Sequence, residues 1–149
     1  MGRVDFYRVG RDPVQKLLSA VAAKLLDQGE RLLIVAASAM QRQEIDAGLW
    51  SHQPSSFLPH GPVGSDYAAH EPILISGEFL NIAPNSARNI ALADGVWHDG
   101  ALDFQRIFLL FDDSRIQEAR QTWKILKNVD GVERHFWQQD DQGRWSEAG

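Results

Sequence analysis

His52, His60, His70, His98 and His135 are the side chains of this 149-residue chain best suited to hold a metal ion or move a proton near neutral pH. No two of them stand at a short ligand spacing such as i, i+4 on one helix face, so no metal site is expected. His60 lies in Phe57-Leu58-Pro59-His60-Gly61 and reads as a loop residue that hydrogen-bonds, not as a ligand or a base. Cysteine is absent, which removes thiol nucleophiles, thiolate metal sites and disulfides together. Ser55, Ser56 and Ser65 lack the Gly-x-Ser-x-Gly setting after a strand that exposes a nucleophile. Asp112-Asp113 and Asp140-Asp141 are adjacent pairs at element boundaries, where helix-terminal charge and turn solvation account for them. Nothing pairs a nucleophile with a base.

Phosphate chemistry fares no better. The first β-to-α turn reads Gly10-Arg11-Asp12-Pro13, with one glycine, an acid where a phosphate would sit and no Gly-Lys-Ser/Thr. Such a turn cannot cradle a phosphate with backbone amides. The second, Ala37-Ser38-Ala39-Met40, is no better suited. No cofactor is expected.

Two constellations suit binding. Arg120, Lys124 and Lys127 fall at i, i+4 and i+7 and form one helical stripe. Trp123 stands at the seam between that stripe and an apolar side of Ala119, Thr122 and Leu126. An aromatic wall beside cations suits a peptide that ends in an aromatic residue with a free carboxylate. From spacing alone, a solvated basic face is the stronger reading of this stripe. The second constellation is Leu49-Trp50 followed by Ser56-Phe57-Leu58-Pro59-His60-Gly61. A proline-stiffened loop presenting apolar groups suits a core plug and an interface anchor equally.

The elements that position these residues follow from periodicity. Val4 to Val9 reads as a strand. A helix follows, capped by Asp12 with Pro13 at its first position and stopped by Gly29. The run Leu32 to Ala37 reads as a strand buried on both faces. Ser38 caps a second helix through Trp50. This β-α-β-α order predicts an α/β fold: a three-layer α/β/α open, mostly parallel sheet. Residues 51–71, with three prolines among them, read as a long irregular segment. Short strands are expected at Pro72 to Ser76 and Asn89 to Ala93, and a strand with a short helical lead-in over Gln105 to Phe111. A helix spans Ser114 to Asn128. Val132 to Gln139 is a last strand, with Arg144-Trp145 pairing back as a hairpin arm.

Apolar residues are 44% and charged residues 23% of the chain, a globular composition, and a single domain over 1–149 is expected. The net charge of −5 argues against a surface made mainly to grip DNA phosphates. Five tryptophans are many for this length; each suits a core or edge strand, or an interface. Met1 to Asp5 begins no apolar signal run and the longest apolar stretch is far too short to cross a bilayer, so a cytoplasmic protein with no membrane contact is expected.

Asp5-Phe6-Tyr7, Ala47-Gly48-Leu49-Trp50, Ser56-Phe57-Leu58-Pro59-His60-Gly61 and Ala119-Arg120 with Trp123-Lys124 resemble, in order and spacing, the chi subunit family of bacterial DNA polymerase III. Phe136-Trp137-Gln138-Gln139-Asp140 with Gly143-Arg144-Trp145 resembles its longer-tailed members. The resemblance covers essentially the whole chain, and the Leu-Trp to Phe-Leu-Pro-His-Gly block is its most specific part. It implies a helicase-like shape without nucleotide machinery, in a protein that is no enzyme by itself but a subunit of a DNA-directed DNA polymerase complex. It also implies two partners. One is the psi subunit, which links chi to the clamp loader. The other is the acidic C-terminal tail of single-stranded-DNA-binding protein, which ends in Phe with a free carboxylate. DNA is then met only indirectly.

On the same resemblance Arg120, Trp123 and Lys124 match the tail-binding positions. Trp123 stands where Tyr often occurs, and Ile116 stands where some members place a Lys, a loss for which Lys127 compensates. Phe57, with Trp50, Leu58 and Pro59 around it, matches the psi anchor. With no psi to meet, an exposed Phe57 patch is expected to favour weak self-association. The rival readings are a degenerate helicase-like nucleotide-binding protein and a direct single-strand DNA binder that stacks bases on its tryptophans.

Overall fold

The protein is described here by a computed structural model covering residues 2–10, 12–51 and 58–148. In chain order the elements are β1 (Arg3–Arg8), α1 (Val14–Asp27), β2 (Leu32–Val35), α2 (Ala39–Trp50), β3 (Gly61–Pro62), β4 (Ile73–Ser76), β5 (Asn89–Leu92), β6 (Arg106–Phe111), α3 (Ile116–Leu126), β7 (Glu133–Gln139) and β8 (Trp145–Glu147). The strands form one sheet in the order β3-β4-β2-β5-β6-β1-β7-β8. Every pairing is parallel except that of β7 with β8.

The central strands are apolar on both faces because both faces are covered. Leu33, Val35, Leu74, Ile90, Leu92, Ile107 and Leu109 point to one side, where Ala119 and Leu126 of α3 close the core. Leu32, Ile34, Ile73, Ile75, Ala91, Phe108 and Leu110 point to the other, against Leu18, Ala22 and Leu25 of α1 and Ile45 and Leu49 of α2. The alternation is the period-two pleat of a strand read out as two cores. α1 and α2 touch closely at Gly48, where an added Cβ would lie 3.1 Å from Gln15 Cβ.

The sequence places most elements within a residue or two, and the departures have physical causes. Asp12 does not cap α1: the helix follows Pro13, which is extended (φ −69°, ψ 156°), and begins at Val14. The Asp12 carboxylate instead takes the Gln139 amide at 2.7 Å and the Lys16 ammonium at 3.4 Å. Ser38 does cap α2, accepting the Gln41 N–H at 3.3 Å. α3 starts later than its periodicity suggests, because Asp112 accepts the Ser114 N–H and winds Asp113–Arg115 into a 3-10 turn first. The helical lead-in to β6 is a 3-10 turn at Asp99–Asp103. The irregular segment holds a two-residue edge strand, β3, too short and too proline-rich to announce itself. No described helix is long and apolar enough to cross a membrane.

Candidate functional site

α3 is amphipathic, and the sheet takes one flank of it. Ala119 and Leu126 are buried, and Ile116 and Trp123 pack against the same core. Thr122 turns its hydroxyl back to the Glu118 carbonyl at 3.0 Å. Arg120, Lys124 and Lys127 are exposed. Arg3, Arg8, Arg88, Arg106, Arg115 and Arg144 each pair with a carboxylate, whereas among the described residues no carboxylate pairs with the three stripe cations. Three uncompensated positive charges thus share one helix flank in a chain of net charge −5. An isolated positive field of this kind draws anionic groups, and salt screens it readily.

Trp123 sits where the basic flank meets the core. Its ring meets Phe6 of β1 edge-on at 5.3 Å and Phe136 of β7 edge-on at 5.7 Å. The Arg134 guanidinium lies over the ring, its Cζ 4.0 Å from the centroid. The tryptophan therefore anchors the stripe in the sheet, and Arg134 forms the layer between its ring and the surroundings. Sequence reasoning missed Arg134. Its signal was period-two parity: Arg134, Phe136 and Gln138 share one face of β7, and Phe136 lies on the α3 side. Ile116 is half-buried against that core, so the position that lacks a cation contributes packing instead.

The second constellation lies on the opposite face of the sheet. Leu49 is fully buried, and the next residue, Trp50, is 57% exposed at the end of α2. Leu58 is 8% exposed and belongs to the core under α1 and α2, its N–H bonded to the Leu49 carbonyl at 3.2 Å. Of the two readings open for this loop, Leu58 is the core plug. Pro59 is exposed. His60 ties the loop to α2: Nδ1 lies 2.6 Å from the Leu58 carbonyl and Nε2 2.7 Å from Asp46 Oδ1. Trp50 meets the His60 ring edge-on at 5.6 Å. Phe57, the expected anchor, lies outside the described residues, as do His52, Ser55 and Ser56.

A third feature went unread. Asp5, wholly buried in β1, receives Arg3, Arg106 Nε at 3.1 Å and Trp137 Nε1 at 3.0 Å. It rivets β6, β1 and β7 together on the α1 face. Beside it Tyr7 stacks on Trp137, and Trp145 meets Tyr7 edge-on at 5.3 Å. Burial, with Asp5 nearby, pushes the Tyr7 hydroxyl above its ordinary range. His135 lies between Glu133 and Glu147. Its hydrogen bond to Glu133, then that to Glu147, raises the imidazole above its ordinary value, and the same bond holds Glu133 below its own. Trp137 and Trp145 are packing residues of the β7–β8 end of the sheet.

A crevice of about 210 Å³ opens at the C-terminal ends of β5 and β6, where open α/β sheets commonly seat ligands. Its acids hold backbone instead. Asp94 accepts the Ala37 and Val96 N–H groups, and Asp112 accepts that of Ser114. Among the described residues no cluster of three or more His, Asp or Glu could hold a metal.

Residues 1–134 match the family described as "DNA polymerase III chi subunit, HolC". Curated relatives named DNA polymerase III subunit chi are similar along much of their length. The Haemophilus influenzae protein is 35% identical over 116 residues, covering 76% of this chain and 80% of the relative. The Escherichia coli K12 protein is 28% identical over 121 residues, covering 79% and 81%. The Pseudomonas aeruginosa protein is 33% identical over 95 residues, covering 62% and 63%.

Proposed function

Given that this chain belongs to the DNA polymerase III chi subunit family, we propose that it is a non-catalytic adaptor of the replicative polymerase. It joins the clamp loader, through psi, to the acidic C-terminal tail of single-stranded-DNA-binding protein, in the cytoplasm. The observation that carries the reading is the uncompensated stripe of Arg120, Lys124 and Lys127 beside Trp123. Cations that pair with no carboxylate among the described residues, on an otherwise acidic protein, suit an external carboxylate, and a peptide terminus with acidic neighbours supplies several. The other contact in this reading is Trp50 with Leu58, Pro59 and Phe57; Trp50 ends α2 and Leu58 belongs to the core under α1 and α2, away from the face that α3 covers. In this assignment Trp50 is the exposed aromatic contact and Leu58 supports it from the core.

Nucleotide chemistry is disfavoured by the crevice at β5 and β6, where a phosphate would meet Asp94 and Asp112. Base stacking on the tryptophans is disfavoured by the packing of Trp123, Trp137 and Trp145.

The test is calorimetric titration with a synthetic peptide of acidic residues ending in Phe. Arg120→Ala and Lys124→Ala should each weaken binding by about three- to tenfold, the range expected for a partly screened charge-assisted contact. Unchanged isotherms for both folded variants would remove the pocket assignment.

A further inference from the structure

Beside the stripe stands a cation that α3 does not carry. Arg134 projects from β7 on the face shared with Phe136, and its guanidinium lies over the Trp123 ring at 4.0 Å. Its Nη1 donates to the Trp123 carbonyl at 2.6 Å, near the C-terminal end of α3. The stack and the bond together fix the guanidinium plane, which in a free arginine would rotate. A guanidinium carries several N–H donors in a rigid fork matched to a carboxylate. Here one goes to the carbonyl, and among the described residues no carboxylate takes the others. Arg134 is half-buried, so it has given up part of its hydration without acquiring a counterion.

Placement adds to this. Arg120 and Lys127 lie three residues before and four after Trp123, on the helix flank that adjoins its ring. Arg134 covers that ring from the strand side. Ile116, which packs on the core, contributes no charge at the other end.

We propose that Arg134 is the receptor for the partner's terminal carboxylate, presenting the free side of its fork while the α3 cations meet the acidic residues upstream. The proposal rests on the adaptor reading. It assigns to a strand residue the role that the stripe alone would share among flexible side chains. A fork already fixed on an aromatic face loses little freedom on binding and selects a planar, two-oxygen acceptor.

Two peptides differing in one group test it: an acidic sequence ending in Phe with a free carboxylate, and the same sequence amidated. The full chain should prefer the free acid by about tenfold, the worth of one charge-assisted fork. In Arg134→Met, which keeps an unbranched apolar side chain over Trp123, the two affinities should converge. A folded Arg134→Met that retains the preference overturns the proposal and leaves the adaptor reading in place. Equal binding of both peptides by the native chain does the same. Binding of neither removes both. A readout on the native chain is independent of how the variant folds. The Arg134 side-chain N–H resonances should shift on addition of the free acid and not of the amide, and their failure to move during saturation by the acid also overturns the proposal.

Discussion

On α3 the aromatic ring is packed and the charges face solvent; at the end of α2 a histidine is tied to a carboxylate and the tryptophan is the more exposed residue. Trp123 is held by Phe6, Phe136 and Arg134, while Arg120, Lys124 and Lys127 face solvent. His60 is tied to Asp46 and the Leu58 carbonyl, while Trp50 is 57% exposed. Open charges such as those of the first surface act at a distance through a screened field. The second acts only on contact, by burying area.

The largest effect expected lies inside the second region. Leu58→Ala should cost about 2–5 kcal/mol in urea unfolding, because it empties a core position between α2 and the sheet. Trp50→Ala should cost less, about 1 kcal/mol, since the residue as a whole is 57% exposed. The same Trp50 variant should lose psi in co-purification at unchanged fold. Equal destabilisation by the two changes would erase the distinction between plug and contact.

Salt gives the next largest separation. Raising ionic strength from about 0.05 to 0.5 M shortens the screening length severalfold. Binding of the acidic peptide to α3 should weaken by about tenfold over that range, and capture through Trp50 should change little. A salt-insensitive peptide isotherm would mean that the open cations do not carry the contact.

These two regions also divide what was legible in the sequence. Leu32 to Val35 and the Ser38 cap were readable because buried parallel strands and N-caps write themselves locally. The stripe was readable because i, i+4 and i+7 need only a helix. Arg134 was not, because its meaning depends on β7 lying beside β1 and on α3 crossing above both. Asp5 was hidden for the same reason: its partners Arg106 and Trp137 come from strands about a hundred residues away or more. Asp12 was misread because the cap rule is local, whereas its carboxylate is drawn across the sheet edge to Gln139. For the loop at Leu58, both readings held until burial separated the residues within it.

The smallest effect concerns the strand that separates the two faces. β7 turns Arg134 toward α3 and His135 toward the other side, where the imidazole bonds Glu133 and Glu147 and so fastens β8. The folded His135 value is raised above the ordinary 6.5. Its contribution is therefore fully present below about 6.5 and is lost as pH rises through the higher folded value. Glu133 is shifted the opposite way, so its contribution is present above the ordinary 4.5 and is lost as pH falls through a lower value. The hairpin should be tightest between these limits. Followed by the Trp145 indole resonance, it should loosen as pH rises above the ordinary 6.5 through the higher folded value, and His135→Gln should abolish that dependence. Arg134 projects from the opposite face of β7, so the acid-over-amide peptide preference should hold constant across the same pH range. A preference that followed the Trp145 signal would mean that the hairpin and the α3 flank are one coupled unit.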